Sequence, residues 1–153
     1  MPPPARSRRG GAGHGGAGVT HEVRTRRGAR VVVLGGDHLA SVGDWVAEMG
    51  RAVPAGEEES VGALLVDFRS QGFAPSAEEA GALVESLRTR FNDAVPPLAA
   101  VARAGAQFGG TRVLCTLAEM RGWRACAFMT EVEAWFWLRA QLNRPARTMP
   151  PPT

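Results

Sequence analysis

The sequence predicts an α/β fold: a single mixed, mostly parallel five-stranded sheet with about four helices packed on it. Two observations carry this. Short apolar runs, Val31–Leu34 and Leu64–Val66 among them, alternate with segments whose apolar residues recur at helical spacing; such alternation implies parallel strands joined by helical crossovers. Two helix-start signals, Ser76 with Glu79 and Thr130 with Glu133, stand just ahead of helical patterns. With 153 residues, 44% of them hydrophobic and 22% charged, the chain suits one domain with a real core.

The elements follow in order. Residues 1–18 are rich in Pro, Gly and Arg without periodicity, a composition that cannot offset its own chain entropy, so they are read as a disordered tail. The domain is expected over 19–142, and 143–153 as a second loose tail. Residues 20–28 form a polar strand closed by Gly28, and the next strand is the β-branched run ending at Gly35 and Gly36. Gly28 between them reads as a hairpin turn. Asp37 falls where an N-cap belongs, with Leu39, Val42, Val46, Met49 and Val53 as the inner stripe of the first helix. Residues 61–68 form a third strand. Ser76 and Glu79 make a capping box for a second helix with Ala80, Leu83, Val84, Leu87 and Phe91 inward. Residues 96–103, PPLAAVAR, read as a fourth strand after a proline break. A third helix follows, with Val113, Leu114, Leu117 and Met120 inward and Gly122 at its stop. The fifth strand spans 123–129, and Thr130 with Glu133 caps a last helix running through Trp137, Leu138 and Leu142.

Charge is unevenly placed. Residues 1–30 hold seven arginines and one acid, a balance of +6, whereas the rest hold eleven arginines and fourteen acids, a balance of −3. The pI near 10 therefore belongs to the tail and first strand, and a specific nucleic-acid-binding face on the mildly acidic body is not expected. All 18 basic residues are Arg, a pattern of GC-rich coding. Two cysteines, Cys115 and Cys126, are too few for a disulfide scaffold and lack metal spacing. No apolar run approaches the ~20 residues of a membrane span, and no apolar stretch follows the N-terminal arginines as in a secretory signal. A cytoplasmic location is expected.

Gly35-Gly36-Asp37-His38 resembles a metal-ligand segment of arginase-type ureohydrolases. A binuclear site needs further histidines and carboxylates from other strands, and this chain has three histidines, His14, His21 and His38. The reading is therefore a strand, a turn and a cap, with no metal and no cofactor.

Residues 64–79, LLVDFRSQGFAPSAEE, resemble STAS domains (sulfate transporter and anti-sigma-factor antagonist). These carry an apolar strand ending in Asp, an aromatic or apolar residue in the loop, and an Asp-Ser pair opening the next helix. Asp67, Phe73 and Ser76 occupy those places, with Pro75 where the family has Asp. Phe108, Gly109, Arg112, Phe128, Glu133, Ala134, Trp137 and Leu138 are similar in order to the SpoIIAA-like (STAS/SEC14-type) branch, so the resemblance covers about Thr20 to Leu142. It implies a non-catalytic regulatory or protein-interaction domain of the anti-sigma-factor antagonist kind, with a protein partner. Its SEC14-like side implies the alternative, a carrier of a lipid or small ligand.

Ser76 is the candidate regulatory phosphosite or, on capping grounds, a plain N-cap. Asp67, at a strand's C-terminal end where α/β folds place ligand groups, joins Phe73, Arg112 and Trp135 as candidate ligand or partner surface. Trp135 lies about 200° around its helix from Trp137, so one of the two is expected at the surface. No nucleophile–base pair is evident. An enzyme using Asp67 with Arg112 is the third and weakest reading.

Overall fold

The computed structural model describes residues 21–26, 28–36, 39–70 and 73–144. The tail at 1–18 and most of that at 143–153 lie outside the described residues, as do Asp37 and His38. The elements run β1 (His21–Arg26), β2 (Ala29–Gly35), α1 (Val42–Ala52), β3 (Val61–Asp67), α2 (Ala77–Phe91), β4 (Leu98–Val101), α3 (Ala106–Met120), β5 (Ala125–Phe128) and α4 (Glu131–Leu142). A turn of 3-10 helix at Glu58–Ser60 precedes β3. This is the order expected from the sequence.

The strands lie in sequential order in one sheet. β1 and β2 are antiparallel around Gly28, whose φ of 79° is the left-handed conformation that a tight turn requires. β2, β3, β4 and β5 are parallel, with Val32 beside Leu64, Leu64 beside Leu98 and Leu98 beside Ala125. Parallel crossovers share one hand, so a strand order that advances one step each time sets every crossover helix on the same face. α1, α2 and α3 accordingly pack together over Val32, Leu34, Leu64, Val66, Leu98 and Ala100. The alternate residues Val31, Ala63, Leu65, Ala99 and Val101 face the other way and are covered by α4 through Ala134 and Leu138. Alternation along each strand thus divides the core into two clusters.

α2 matches its sequence reading closely. Ser76 accepts from the Glu79 backbone N–H at 3.1 Å, and Glu79 accepts from the Ser76 N–H at 2.9 Å. Ala80, Leu83, Val84, Leu87 and Phe91 are all buried. α1 differs. Its N-cap is Ser41, which accepts from the Asp44 N–H at 3.2 Å while Asp44 accepts from the Ala40 N–H at 3.0 Å. That reciprocal pair starts the helix at Val42. Trp45, Glu48, Met49 and Ala52 then face inward and Val46 is exposed. Leu39 is buried ahead of the helix. The buried Glu48 carboxylate is held by Arg51 through Nε at 2.9 Å and a terminal nitrogen at 2.6 Å.

α3 is rotated from its expected orientation. Gln107, Thr111, Leu114, Cys115 and Ala118 are buried and Leu117 partly so, whereas Val113 and Met120 are exposed. The cause is close approach: a Cβ on Gly110 would lie 2.1 Å from the Pro75 carbonyl oxygen, so the loop before α2 rests on the helix backbone there. In α4, Thr130 accepts from the Glu133 N–H at 3.2 Å, as a cap should. Its hydroxyl also donates to Glu133 at 3.1 Å, so this cap lacks the reciprocal backbone bond that completes the one at Ser76.

The two adjacent glycines of α3 should respond oppositely to alanine. Gly109→Ala, with open space around the added methyl, is expected to stabilise the protein by about 0.5–1 kcal/mol through helix propensity. Gly110→Ala must displace Pro75 and is expected to cost about 1–3 kcal/mol. Urea unfolding of the two variants checks this; equal midpoints would refute the proposed contact.

Candidate functional site

β3, β4 and β5 all end at one edge of the sheet, and the loops leaving them lead into the N-termini of α2, α3 and α4. This is where open α/β sheets bind ligands. Gln107, in the first turn of α3, is buried beneath these loops. Its amide nitrogen donates to the Phe68 carbonyl at 2.8 Å and to the Phe73 carbonyl at 2.9 Å, and its oxygen accepts from the Arg103 N–H at 2.7 Å. One side chain therefore ties the β3–α2 loop to the β4–α3 loop.

Beside it runs a charged chain. Asp67 accepts from Arg69 at both oxygens, from Nε at 2.9 Å and a terminal nitrogen at 2.8 Å, and also from the Arg69 backbone N–H at 3.0 Å. These bonds to Asp67 raise the Arg69 guanidinium above its usual pKa against a smaller opposing effect of burial. Arg69 also reaches Glu131 at the start of α4, at 3.5 Å. Glu131 accepts from the Trp135 indole N–H at 3.1 Å, and Arg24 of β1 lies over the Trp135 ring at 5.3 Å. Asp67, Arg69, Glu131 and Trp135 thus bind one another along the edge, bridging the end of β3 to α4.

The five residues singled out from sequence fall in different places. Asp67 is engaged by Arg69, as above. Phe73 is a buried core residue, its ring 5.9 Å from that of Phe68. Ser76 is an exposed N-cap. Trp135 is half-buried and tied to Glu131, and Trp137 is half-buried with its ring 5.9 Å from Phe128. The exposed aromatic of α4 is Phe136 between them, 69% exposed. It points away because Ala134 and Leu138 face the sheet.

Arg112 is exposed on α3, beside two hollows. One, of about 350 Å³, is lined by Gly109, Arg112, Val113, Thr116 and Leu117. The other, of about 190 Å³, lies between α3 and β5 and is bordered by Phe108, Arg112, Glu119 and Cys126. Cys115, at its inner wall, is pushed up to about 12 by burial, and burial also raises the Cys126 thiol, so neither is an activated nucleophile at neutral pH. In the core beneath α1 and α2 a cavity of about 30 Å³ is lined by Leu34, Trp45, Met49, Val66 and Phe68 among others. Among the described residues, no group of three or more His, Cys, Asp and Glu side chains is placed to hold a metal ion. No described helix is long and apolar enough to cross a membrane.

Comparison with protein-family models, curated proteins and solved structures finds no match to this chain.

Sequence reasoning passed over Gln107, Arg69 and Glu131. Arg69 stood two residues after Asp67, a spacing at which a side chain can turn back on the strand end. Gln107 carried no such signal, because the two carbonyls it binds are 34 and 39 residues away.

Replacing Gln107 by Met should leave two carbonyls and one N–H without their partner. At about 1–3 kcal/mol for each unmet buried group, the unfolding free energy is expected to fall by roughly 3 kcal/mol or more; a loss below about 1 kcal/mol in denaturant titration would refute the clamp. At the exposed cap, Ser76→Ala should cost ~1 kcal/mol and Ser76→Asp almost nothing, since Asp caps as well and its charge suits a helix N-terminus. Thermal melts of the two variants separate these outcomes.

Proposed function

We propose that this protein is a non-catalytic regulatory or protein-interaction domain, in keeping with the resemblance of its sequence to anti-sigma-factor antagonists of the STAS type. The observation that carries the reading is the outer face of α3 beside β5. Met120 is 76% exposed there and Val113 is also exposed. Arg112 and Glu119 flank the hollow with no ion pair or hydrogen bond among the described residues. Met and Arg are residue types enriched in protein–protein interfaces, and their exposure together on α3 supports the reading. The polar groups at the sheet edge, by contrast, are engaged with one another, which disfavours catalysis at Asp67.

The carrier alternative has less support. Ala134 and Leu138 of α4 are fully buried against the sheet, and the cavity of about 30 Å³ on the other face has room for little more than a water. Lipid pockets enclose several hundred Å³, and the hollow of about 350 Å³ on α3 is an open depression of the surface.

Regulation would act through Ser76, whose exposed hydroxyl stands at the same sheet edge. Capture of partners from a lysate of the source cells tests the whole reading. Arg112→Glu and Met120→Asp should each lose a partner that the unmodified chain retains, at unchanged melting temperature. Retention by Ser76→Ala with loss by Ser76→Asp would establish phosphorylation control, and equal retention would leave Ser76 a cap only. A stoichiometric lipid released from the purified chain in native mass spectrometry would establish the carrier instead.

A further inference from the structure

The outer face of α4 carries the most exposed large hydrophobic side chain among the described residues. Val132 is 79% exposed and Phe136 69%, and Met129, just before the helix, is 49% exposed. The three recur at helical spacing and lie on one side, opposite Ala134 and Leu138. The charges along this helix are ordered: Glu131 and Glu133 stand in the first turn and Arg139 in the last. Arg139 lies on the same side as the apolar row, its guanidinium 5.9 Å from the centre of the Phe136 ring.

That arrangement is self-complementary. Glu133 and Arg139 are each three residues from Phe136, one on either side. When two such helices lie antiparallel with their Phe136 rings at the crossing point, Glu133 of each copy is level with Arg139 of the other. Val132 then comes level with Ala140, a small residue that leaves room for it. The acidic start of each helix covers the basic end of its partner, and the two helix dipoles oppose. A surface that matches itself under a two-fold rotation is what an isologous dimer requires. The charges of a parallel pair would stand like against like.

We propose that this protein self-associates through α4, as an antiparallel two-fold dimer centred on Phe136. The face is separate from that of α3, so the dimer does not depend on the partner surface proposed above. A single helix face buries little area, which places the association in the weak, reversible class of small interfaces.

Sedimentation equilibrium of the full chain over a wide concentration range tests this. The unmodified protein should move from monomer towards dimer mass as its concentration rises, as a weak, reversible interface requires. Phe136→Ser should weaken association at least about tenfold, the effect of losing one central aromatic anchor. Glu133→Arg and Arg139→Glu should each weaken it too, because each sets like charges level with one another. The decisive arm is an equimolar mixture of those two variants. The first then carries arginine at both positions and the second glutamate at both, so the mixture should associate at least as well as the unmodified chain while each alone stays monomeric. Circular dichroism melts confirm that the variants are folded. A monomer at every concentration up to the solubility limit, a dimer indifferent to Phe136→Ser, or a mixture no better than its components would each overturn the proposal.

Discussion

Gln107 is the point on which the functional edge of this protein depends. Four parallel strands end there in loops whose backbone groups have left the sheet ladder, and buried backbone groups must find partners. Gln107 has both a donor nitrogen and an acceptor oxygen on one planar amide, so a single side chain serves carbonyls on one loop and an N–H on the other. Neither glutamate, which lacks the donors, nor lysine, which lacks the acceptor, serves both. The clamp fixes where Phe73 enters the core, and hence where Pro75 comes to rest on Gly110 and where Ser76 begins α2.

The charged chain at the same edge has a different character. Asp67 and Arg69 pair with favourable two-point geometry, yet both are partly exposed, so their attraction is screened by solvent and contributes little to stability. Its consequence is orientation: through Arg69 and Glu131 the end of β3 is linked to the first turn of α4, on the face of the sheet opposite the other three helices. α4 is thereby held at its N-terminus by polar contacts and along its length by Ala134 and Leu138. Its remaining apolar residues are left outside. A helix hydrophobic on nearly every side, packed as a lone layer, necessarily presents part of that surface to solvent or to another molecule.

The amino-acid sequence by itself determined the order of elements, the hairpin at Gly28, the cap and inner face of α2, and the alternation that splits the core into two layers. These follow from local rules: backbone conformation at glycine, side chain to backbone bonds three residues apart, and the periods of two and 3.6. Tertiary structure alone decided the rotation of α1 and α3. Both helices contain more apolar residues than one face can hold, so composition permitted several inward faces, and contact selected one: the packing of Trp45, Met49 and Ala52 into the core for α1, and the seat of Pro75 on Gly110 for α3. The same holds for the edge. Asp67 was legible as a strand end, but its pairing with Arg69, the reach of Arg69 to Glu131 and that of Gln107 to Phe68 join residues up to 62 positions apart, and only the folded chain brings such groups within bonding distance. Trp135 illustrates the divide most plainly. Helical geometry put it and Trp137 on different sides, and the packing of Ala134 and Leu138 onto small sheet residues then set both tryptophans at the flanks and left Phe136 facing outward.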